Sequence, residues 1–256
     1  MKPYTARDKL RLDTALVEGG LVPSREKARA VIMAGHVLVN GDRVDKAGFR
    51  VSTDDDLSIV SPPHPYVSRG GVKLQGALDE FGHDPGNAVA LDVGASTGGF
   101  TDCLLKSGAQ RVYSLDVGYG QFAWSLRSDP KVVLMERTNI RHTTIDAFPE
   151  PIDLAVIDVS FVSLSLVLPR VFDILTSGGY AIALIKPQFE VGRGDVGKGG
   201  VVRDEKKHKK AVDSVAAAAQ ELGFVVKGTC TSPLMGPKGN TEFFIYLYKP
   251  SERVNV

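Results

Sequence analysis

Apolar and polar blocks alternate along most of the chain after residue 87. Five apolar runs, separated by helix-length segments, read "AVALDVG", "RVYSLDVG", "KVVLME", "IDLAVIDVS" and "YAIALIK". Runs that are apolar at almost every position are typical of parallel strands buried on both faces. A helix pattern, "DEKKHKKAVDSVAAAAQELG", then precedes two more strand patterns, "FVVKGTC" and "TEFFIYLYK". The pattern predicts an α/β domain built on a mostly parallel sheet.

The first sixty residues follow a different pattern. The stretch "RLDTALVEGG" has apolar residues at helical spacing and ends in a glycine pair, and "SREKARAVIMAGH" begins with Ser24 as an N-cap and ends near Gly35. In "HVLVNGDRVDKAG", Asn40 and Gly41 lie between two short β-prone runs, which is a strong hairpin signal. Residues 1–60 are therefore predicted to form a separate small α+β unit.

A short linker is predicted between the two units. The segment "VSTDDDLSIVSPPHPY" is first acidic and then rich in proline, and Pro62, Pro63 and Pro65 favour extended backbone. We place the linker at residues 61–66 and the large domain at residues 67–256.

Composition limits the class of protein and its location. The chain has 256 residues, of which 43% are hydrophobic, and no apolar run approaches the roughly 20 residues of a membrane helix. A cytoplasmic protein without membrane contact is expected. Cys103 and Cys230 lack a C-x-x-C or histidine-rich neighbourhood, so neither a disulfide nor a metal site is predicted.

The net charge of +1 hides two basic regions. Lys and Arg outnumber Asp and Glu by ten to six in residues 1–51, and by seven to three in residues 192–210. Such surpluses can bind phosphate backbones, or they can simply form solvated basic surfaces. Charge alone leaves both interpretations open.

The first strand of the large domain leads into a glycine-rich turn, "LDVGASTGGFTDCLL". Its pattern differs from the G-x-G-x-x-G of dinucleotide-binding proteins, which disfavours a nicotinamide enzyme. The turn resembles motif I of class I methyltransferases that use S-adenosylmethionine. Candidate cofactor contacts are Asp92, Gly94, Ser96 and Gly98.

The next two strand ends add further cofactor candidates. Asp116 follows "YSL" at the end of the second strand pattern, where an acidic side chain can accept hydrogen bonds from ribose hydroxyls, and Val117 comes next. Asn139 follows the third strand, where it could contact the adenine of the cofactor or act as an ordinary turn residue.

The later segment "GRGDVGKGG" is a poor P-loop, because Gly199 replaces the Ser or Thr that would hold magnesium.

Charged residues are predicted to meet at one edge of the sheet. Asp158 and Lys186 each end an apolar strand, and Glu242 begins the last strand, which reaches the same edge if it runs antiparallel. Lys73 precedes the first strand and could reach the edge from a covering helix. Surface ion pairs are the alternative to a catalytic role for these four residues.

The order Lys-Asp-Lys-Glu resembles the tetrad of FtsJ-type ribose 2′-O-methyltransferases. More widely, "VSRGGVKL", "DVGASTGGFT", "DVGYGQFAWSLR", "DVSFVSL", "IKPQFEVG" and "GNTEFF" resemble the TlyA family, historically labelled hemolysins. The resemblance implies a Rossmann-like class I methyltransferase sheet with an antiparallel last strand. It also implies S-adenosylmethionine as cofactor and methylation of a cytidine ribose in rRNA within ribosomal subunits.

The small unit resembles the S-four-type RNA-binding domain over "RLDTALVEGGLVPSREKARAVIMAGHVLVNGDRV". That resemblance implies RNA contacts by Arg11, Arg25, Lys27 and Arg29, although Arg29 could equally serve solubility alone. In the large domain, Phe161 could stack on a base or fill the core, and Arg69 could bind phosphate or brace the linker.

The chemistry of the tetrad fits methyl transfer to a hydroxyl. A ribose hydroxyl is a weak nucleophile, so the enzyme must orient it and manage its proton. Lys186 is the best candidate to hold or deprotonate the 2′-oxygen, and the sequence leaves its charge state open. The expected oligomeric state is a monomer. Two functions are alternatives to methyl transfer: a non-enzymatic RNA-binding or ribosome-assembly factor on the same fold, and a membrane-lytic protein.

Overall fold

A computed structural model describes residues 9–60, 64–197 and 199–251. Two prolines of the predicted linker, Pro62 and Pro63, therefore lie outside the described residues, as does the end of the tail after Ser251.

The small unit combines two helices with short strands. Its elements are β1 (Leu10–Arg11), α1 (Leu12–Glu18), α2 (Arg25–Met33), β2 (Val37–Val39), β3 (Asp42–Arg43), β4 (Arg50–Val51) and β5 (Leu57–Ile59). The Ser24 hydroxyl accepts from the Lys27 backbone N–H and caps α2, and Asn40 and Gly41 connect β2 to β3 in an antiparallel hairpin. Leu12, Leu16 and other apolar residues of these elements form a core of their own.

The large domain is built on a seven-stranded sheet. Its strands are β6 (Val89–Val93), β7 (Arg111–Leu115), β8 (Val132–Met135), β9 (Ile152–Ile157), β10 (Leu175–Ile185), β11 (Val225–Thr231) and β12 (Phe243–Tyr248). The strand order is β11-β12-β10-β9-β6-β7-β8. Strands β6 to β10 pair in parallel, and β12 runs antiparallel to β10 and to β11. The predicted α/β class, with its antiparallel last strand, is confirmed.

Helices cover both faces of this sheet, as the apolar runs predict. They are α3 (Arg69–Phe81), α4 (Gly99–Lys106), α5 (Trp124–Arg127), α6 (Leu168–Ile174), α7 (Pro187–Glu190) and α8 (Glu205–Glu221). Leu74 of α3 and Leu104 of α4 belong to the core on one face, and Val171 of α6 and Val215 of α8 belong to the core on the other. Burying each face removes apolar surface from water, which stabilises the stacked layers.

The segments between the five parallel strands have the expected helix length, but two of them form little α-helix. Only the four residues of α5 are α-helical between β7 and β8, and two 3-10 turns, Ile140–His142 and Ile145–Ala147, join β8 to β9. Proline explains part of this difference, because Pro149 and Pro151 interrupt the second segment and would remove helical hydrogen bonds. No helix in the described part of the chain is both long and apolar enough to cross a membrane.

Candidate active site

The glycine turn after β6 brings backbone close to the end of β9. Gly94 has φ +88°, and its N–H donates to the Leu115 carbonyl at 2.8 Å. A Cβ on Gly94 would lie 2.5 Å from the Asp158 carbonyl oxygen. Only glycine fits this position, because it tolerates the left-handed conformation and has no side chain. Gly98 is also left-handed, with φ +91°, and directly precedes α4.

Asp116 ties the turn to the end of β7. Its carboxylate accepts the Ser96 backbone N–H at 2.7 Å and the Gly118 backbone N–H at 2.6 Å. The first of these bonds joins two segments that the sequence predicts to contact the cofactor. Val117, the neighbouring candidate, is exposed.

Asn139 serves as a turn residue. Its side-chain oxygen accepts the Arg141 backbone N–H at 3.1 Å and caps the turn Ile140–His142. This contact matches the turn interpretation, while the adenine contact stays a prediction.

Asp92 lies fully buried beneath the glycine turn. Its Oδ2 accepts the Thr101 hydroxyl at 2.6 Å, and that hydroxyl lies 2.7 Å from the Ser114 hydroxyl. Oδ1 has no hydrogen-bond partner among the described residues. Burial raises the pKa of Asp92 to about 7, although the hydrogen bond from Thr101 opposes the rise.

The structure brings the four tetrad residues together as two ion pairs. Lys186 Nζ lies 2.5 Å from Asp158 Oδ1, and Lys73 Nζ donates to Glu242 Oε2 at 2.6 Å. Both lysines and Glu242 are buried, whereas Asp158 is partly exposed. Lys186 Nζ also donates to the Ser160 hydroxyl at 2.9 Å. Buried ion pairs lose much of their hydration, so the interpretation as ordinary surface pairs does not apply.

Strand register explains why these residues meet. Ala183 of β10 pairs with Ile157 of β9, and Ile185 pairs with Phe243 of β12. The residues that follow Ile157 and Ile185, and the residue that precedes Phe243, therefore emerge at the same edge. These residues are Asp158, Lys186 and Glu242. Lys73 joins them from the buried face of α3.

A cavity of about 630 Å³ opens at this edge of the sheet. Its lining includes Lys73, Gly94, Asp158, Lys186 and Glu242, so the glycine turn and the tetrad share one space. The small unit also contributes to the wall, through Met33, Ala34, Gly35, Arg43 and Asp45.

The arginines that the sequence assigns to RNA surround one buried acid. Asp13 accepts from Arg11 Nε at 3.0 Å, from Arg25 Nη2 at 3.2 Å and from Arg29 Nε at 3.3 Å. The hydrogen bond from Arg11 holds the pKa of Asp13 far below its usual range. Roughly half of each arginine side chain remains exposed. The cluster carries three positive charges and one negative charge, so it attracts anions. Lys27 is exposed on the same helix as Arg25 and Arg29.

The two other RNA candidates lie close to the tetrad. Arg69 Nη2 donates to the Met235 carbonyl at 3.0 Å, so it holds the loop that precedes Glu242. Phe161 is 90% exposed, which excludes a place in the core. It has φ +65°, a conformation that costs a bulky residue roughly 1–3 kcal/mol.

Several residues that hold the functional segments in place are not predicted from the sequence. They are Asp13, Ser160, Glu190 and Asn240. Asn240 accepts the Val202 backbone N–H at 3.0 Å and donates to the Gly200 carbonyl at 3.1 Å, which joins the glycine-rich loop to the strand of Glu242. Ser160, Glu190 and Asn240 lie in the motifs "DVSFVSL", "IKPQFEVG" and "GNTEFF", respectively. The spacing of polar residues in these motifs does not mark any of the three as functional. Their contacts join segments far apart in the chain.

Two protein-family models match this chain. Residues 66–249 match the FtsJ-like methyltransferase model, and residues 10–57 match the S4 domain. More distant solved structures at 14% to 18% identity include S-adenosylmethionine-dependent methyltransferases, with TM-scores of 0.50 to 0.53. This likeness shows the fold alone.

Nearly the whole chain matches its relatives. The Mycobacterium tuberculosis protein named 16S/23S rRNA (cytidine-2'-O)-methyltransferase TlyA is 46% identical over 95% of this chain and 91% of that protein. Hemolysin A of Brachyspira hyodysenteriae is 41% identical over 93% and 99%. A Streptococcus thermophilus structure, provisionally named a hemolysin, is 43% identical over 96% and 91%, with a TM-score of 0.75. The chain therefore belongs to the FtsJ-like methyltransferase family.

Proposed function

We propose that this protein transfers methyl from S-adenosylmethionine to the 2′-hydroxyl of a cytidine in rRNA within ribosomal subunits. The observation that carries the proposal is the pair of buried ion pairs, Lys186 with Asp158 and Lys73 with Glu242, in the cavity that the glycine turn also lines. The names of the relatives supply the substrate class, because they specify rRNA and cytidine 2′-O-methylation.

The residues around the glycine turn fit the cofactor. Gly94 and Ser96 of the turn line the cavity, and Asp92 Oδ1, buried beneath the turn, has no partner among the described residues. Asp116 would accept from the ribose hydroxyls of the cofactor. The bound cofactor supplies a methyl group that its sulfonium already activates. Gly94, Ser96, Gly98 and Val117 line the same proposed subsite.

The tetrad then acts on the hydroxyl. Lys186 would hold the 2′-oxygen, either as a charged donor or as the base that takes its proton, and its ion pair with Asp158 would fix the position of the lysine. Lys73 and Glu242 form a second ion pair, which lines the same cavity. An in-line displacement needs mainly orientation, so restraining these side chains lowers the entropic part of the barrier.

The small unit is proposed to bind the RNA. We assign residues 1–60 to an RNA-binding domain, residues 61–66 to a linker and residues 67–256 to the methyltransferase domain. The arginine cluster around Asp13 would bind phosphates, and the small unit borders the cavity of the tetrad. One nucleotide would leave its stack to reach that cavity.

Replacing Lys186 tests the proposal directly. We expect Lys186→Ala to lower the rate of methyl transfer to unmodified ribosomal subunits about 100-fold or more, because the hydroxyl loses its orienting group. The measurement is incorporation of labelled methyl from S-adenosylmethionine. Lys227→Ala, which removes an exposed lysine from β11, is the control and should retain full activity.

Two results would contradict this function. Undiminished transfer by Lys186→Ala would exclude the catalytic role of the lysine. Cofactor binding without turnover on any RNA by the wild-type protein would favour an assembly factor on the same fold.

A membrane-lytic activity is the second alternative, suggested by the hemolysin names of some relatives. No membrane-spanning helix occurs in the described residues. Leakage of a dye from liposomes, caused by the purified protein, would support that alternative.

A further inference from the structure

Helix α7 follows the strand end that carries Lys186 and contacts the segment after the strand end that carries Asp158. It begins directly after Lys186, at Pro187, and ends at Glu190. Asp158, at the end of β9, opens the neighbouring segment, residues 158–164, which we call the Asp158 loop. Two side chains of α7, Phe189 and Glu190, contact this loop.

Glu190 uses both of its carboxylate oxygens on the Asp158 loop. Oε2 accepts the Ser163 hydroxyl at 2.6 Å, and Oε1 accepts the Leu164 backbone N–H at 2.9 Å. The side chain is partly buried, and burial raises the pKa of Glu190 while these two hydrogen bonds oppose the rise. Both oxygens are occupied within the protein, and Glu190 does not line the cavity of the tetrad. It is therefore not placed to contact reacting atoms.

Phe161 is the prominent feature of the loop that Glu190 holds. Its side chain is 90% exposed, and its backbone is left-handed with φ +65°. The ring contacts Phe189 of α7, with ring centroids 5.0 Å apart. A strained backbone conformation at a bulky residue motivates a functional hypothesis, and an exposed ring offers a flat apolar face on which a base can stack.

The geometry points to Glu190 as a positioning residue that fixes the Asp158 loop, so that Phe161 forms a stacking platform for the base of the target nucleotide. This inference rests on the proposed function. Ser160, which directly precedes Phe161, accepts from Lys186 Nζ at 2.9 Å, so the ring lies on a segment that also contacts the proposed catalytic lysine. A base stacked on Phe161 would remain covalently linked to the ribose presented to Lys186. Stacking suits any unstacked base, because every base has a π face.

A double-mutant cycle tests whether Glu190 acts through Phe161. The variants are Glu190→Ala, Phe161→Ala and the double variant, and the readouts are kcat and KM for unmodified ribosomal subunits. We expect each single variant to raise KM about tenfold, the size of a lost base-stacking contact. The double variant should be no worse than Phe161→Ala alone, because residues that act through one contact are not additive.

Two further variants separate positioning from general damage to the fold. Glu190→Gln retains an amide oxygen that can accept the Leu164 N–H, so it should restore most of the affinity for the subunits. Glu221→Ala removes an exposed carboxylate at the end of α8 and should change nothing. If Glu190→Ala does not fold, Ser163→Ala enters the same cycle, because it removes one of the two hydrogen bonds.

Additive losses would overturn the inference. If Glu190→Ala costs as much without Phe161 as with it, Glu190 acts on Lys186, on Asp158 or on folding. Absence of transfer by the wild-type protein would instead count against the proposed function. The same cycle would then be measured as equilibrium binding to the subunits, where additive losses again exclude the positioning role.

Discussion

Asp92 shows how burial changes the chemistry of one side chain. The sequence places it in a motif where an acid contacts the cofactor. The structure places it at zero exposure, with one oxygen on Thr101 and the other without a partner among the described residues. Burial raises its pKa to about 7. This pKa shift makes the free energy of unfolding depend on pH, because the folded protein keeps the Asp92 proton at pH values where the unfolded chain has already released it.

Stability should therefore fall with rising pH through the titration of Asp92. Between about pH 4 and pH 7 the folded state holds the extra proton, so wild type should lose stability relative to Asp92→Asn by roughly 1 kcal/mol per pH unit. Urea denaturation of both proteins between pH 5 and pH 8 measures this difference. Asp146→Asn, an exposed site, is the control, and parallel curves for wild type and Asp92→Asn would contradict the prediction.

Backbone strain at single residues is concentrated around the site. Six non-glycine residues in the described chain have positive φ, and two of them, Asn40 and Asn87, are asparagines, which tolerate this conformation. The other four are Ser96, Arg137, Phe161 and Lys238. Ser96 lies in the glycine turn and Lys238 lines the cavity, so strain coincides with the proposed function.

At the scale of elements, the ends of β6, β9, β10 and β12 assemble the site. Each strand is held by its neighbours along its length, so the residue at its end is placed with little freedom. The close approach of the glycine turn to the end of β9 is the tightest of these contacts, because a Cβ on Gly94 would lie 2.5 Å from a backbone oxygen.

Gly94→Ala should disrupt both the turn and the edge of the sheet. We expect a loss of stability of roughly 1–3 kcal/mol, because alanine is strained at φ +88° and would push Asp158 away. Affinity for S-adenosylhomocysteine should fall with it. Thermal unfolding and isothermal titration calorimetry measure these effects.

Gly228→Ala in β11 is the matched control for this change. Its Cβ would contact the ring of Phe81 at 3.6 Å, an ordinary van der Waals distance. Unchanged cofactor affinity in Gly94→Ala would show that the turn does not approach the cofactor.

At the scale of the whole molecule, two units with separate cores meet at one cavity. Leu12 and Leu16 belong to the core of the small unit, while the large domain has its own cores on both faces of the sheet. The exposed arginines lie on the small unit and the tetrad lies on the large domain. The proposed function therefore divides RNA binding from chemistry, and the two should respond differently to mutation.

Arg25→Ala should weaken binding to ribosomal subunits without slowing the chemistry. The slope of log affinity against log salt concentration should fall by about 1, because one phosphate contact is lost. The methylation rate at saturating subunit concentration should stay unchanged. Filter binding across a salt series tests this, with Arg170→Ala on α6 as control. An unchanged slope would show that Arg25 serves only the ion pair with Asp13.

The antiparallel last strand, which brings Glu242 to the edge of Asp158 and Lys186, was implied by the family resemblance. The sequence by itself determined the fold class and the edge where Asp158 and Lys186 meet. These features follow from local patterns, because continuous apolar runs specify buried strands, and parallel strands present their carboxyl ends at one edge. The helical spacing and the Asn40-Gly41 turn likewise specify the small unit.

Only the tertiary structure decided how the polar residues pair. It showed that Lys73 pairs with Glu242, that Asp13 gathers three arginines and that Glu190 holds the loop of Phe161. It also showed that 3-10 turns replace a helix before β9. Such contacts join residues far apart in the chain, and their strength depends on burial and distance, which no local pattern encodes.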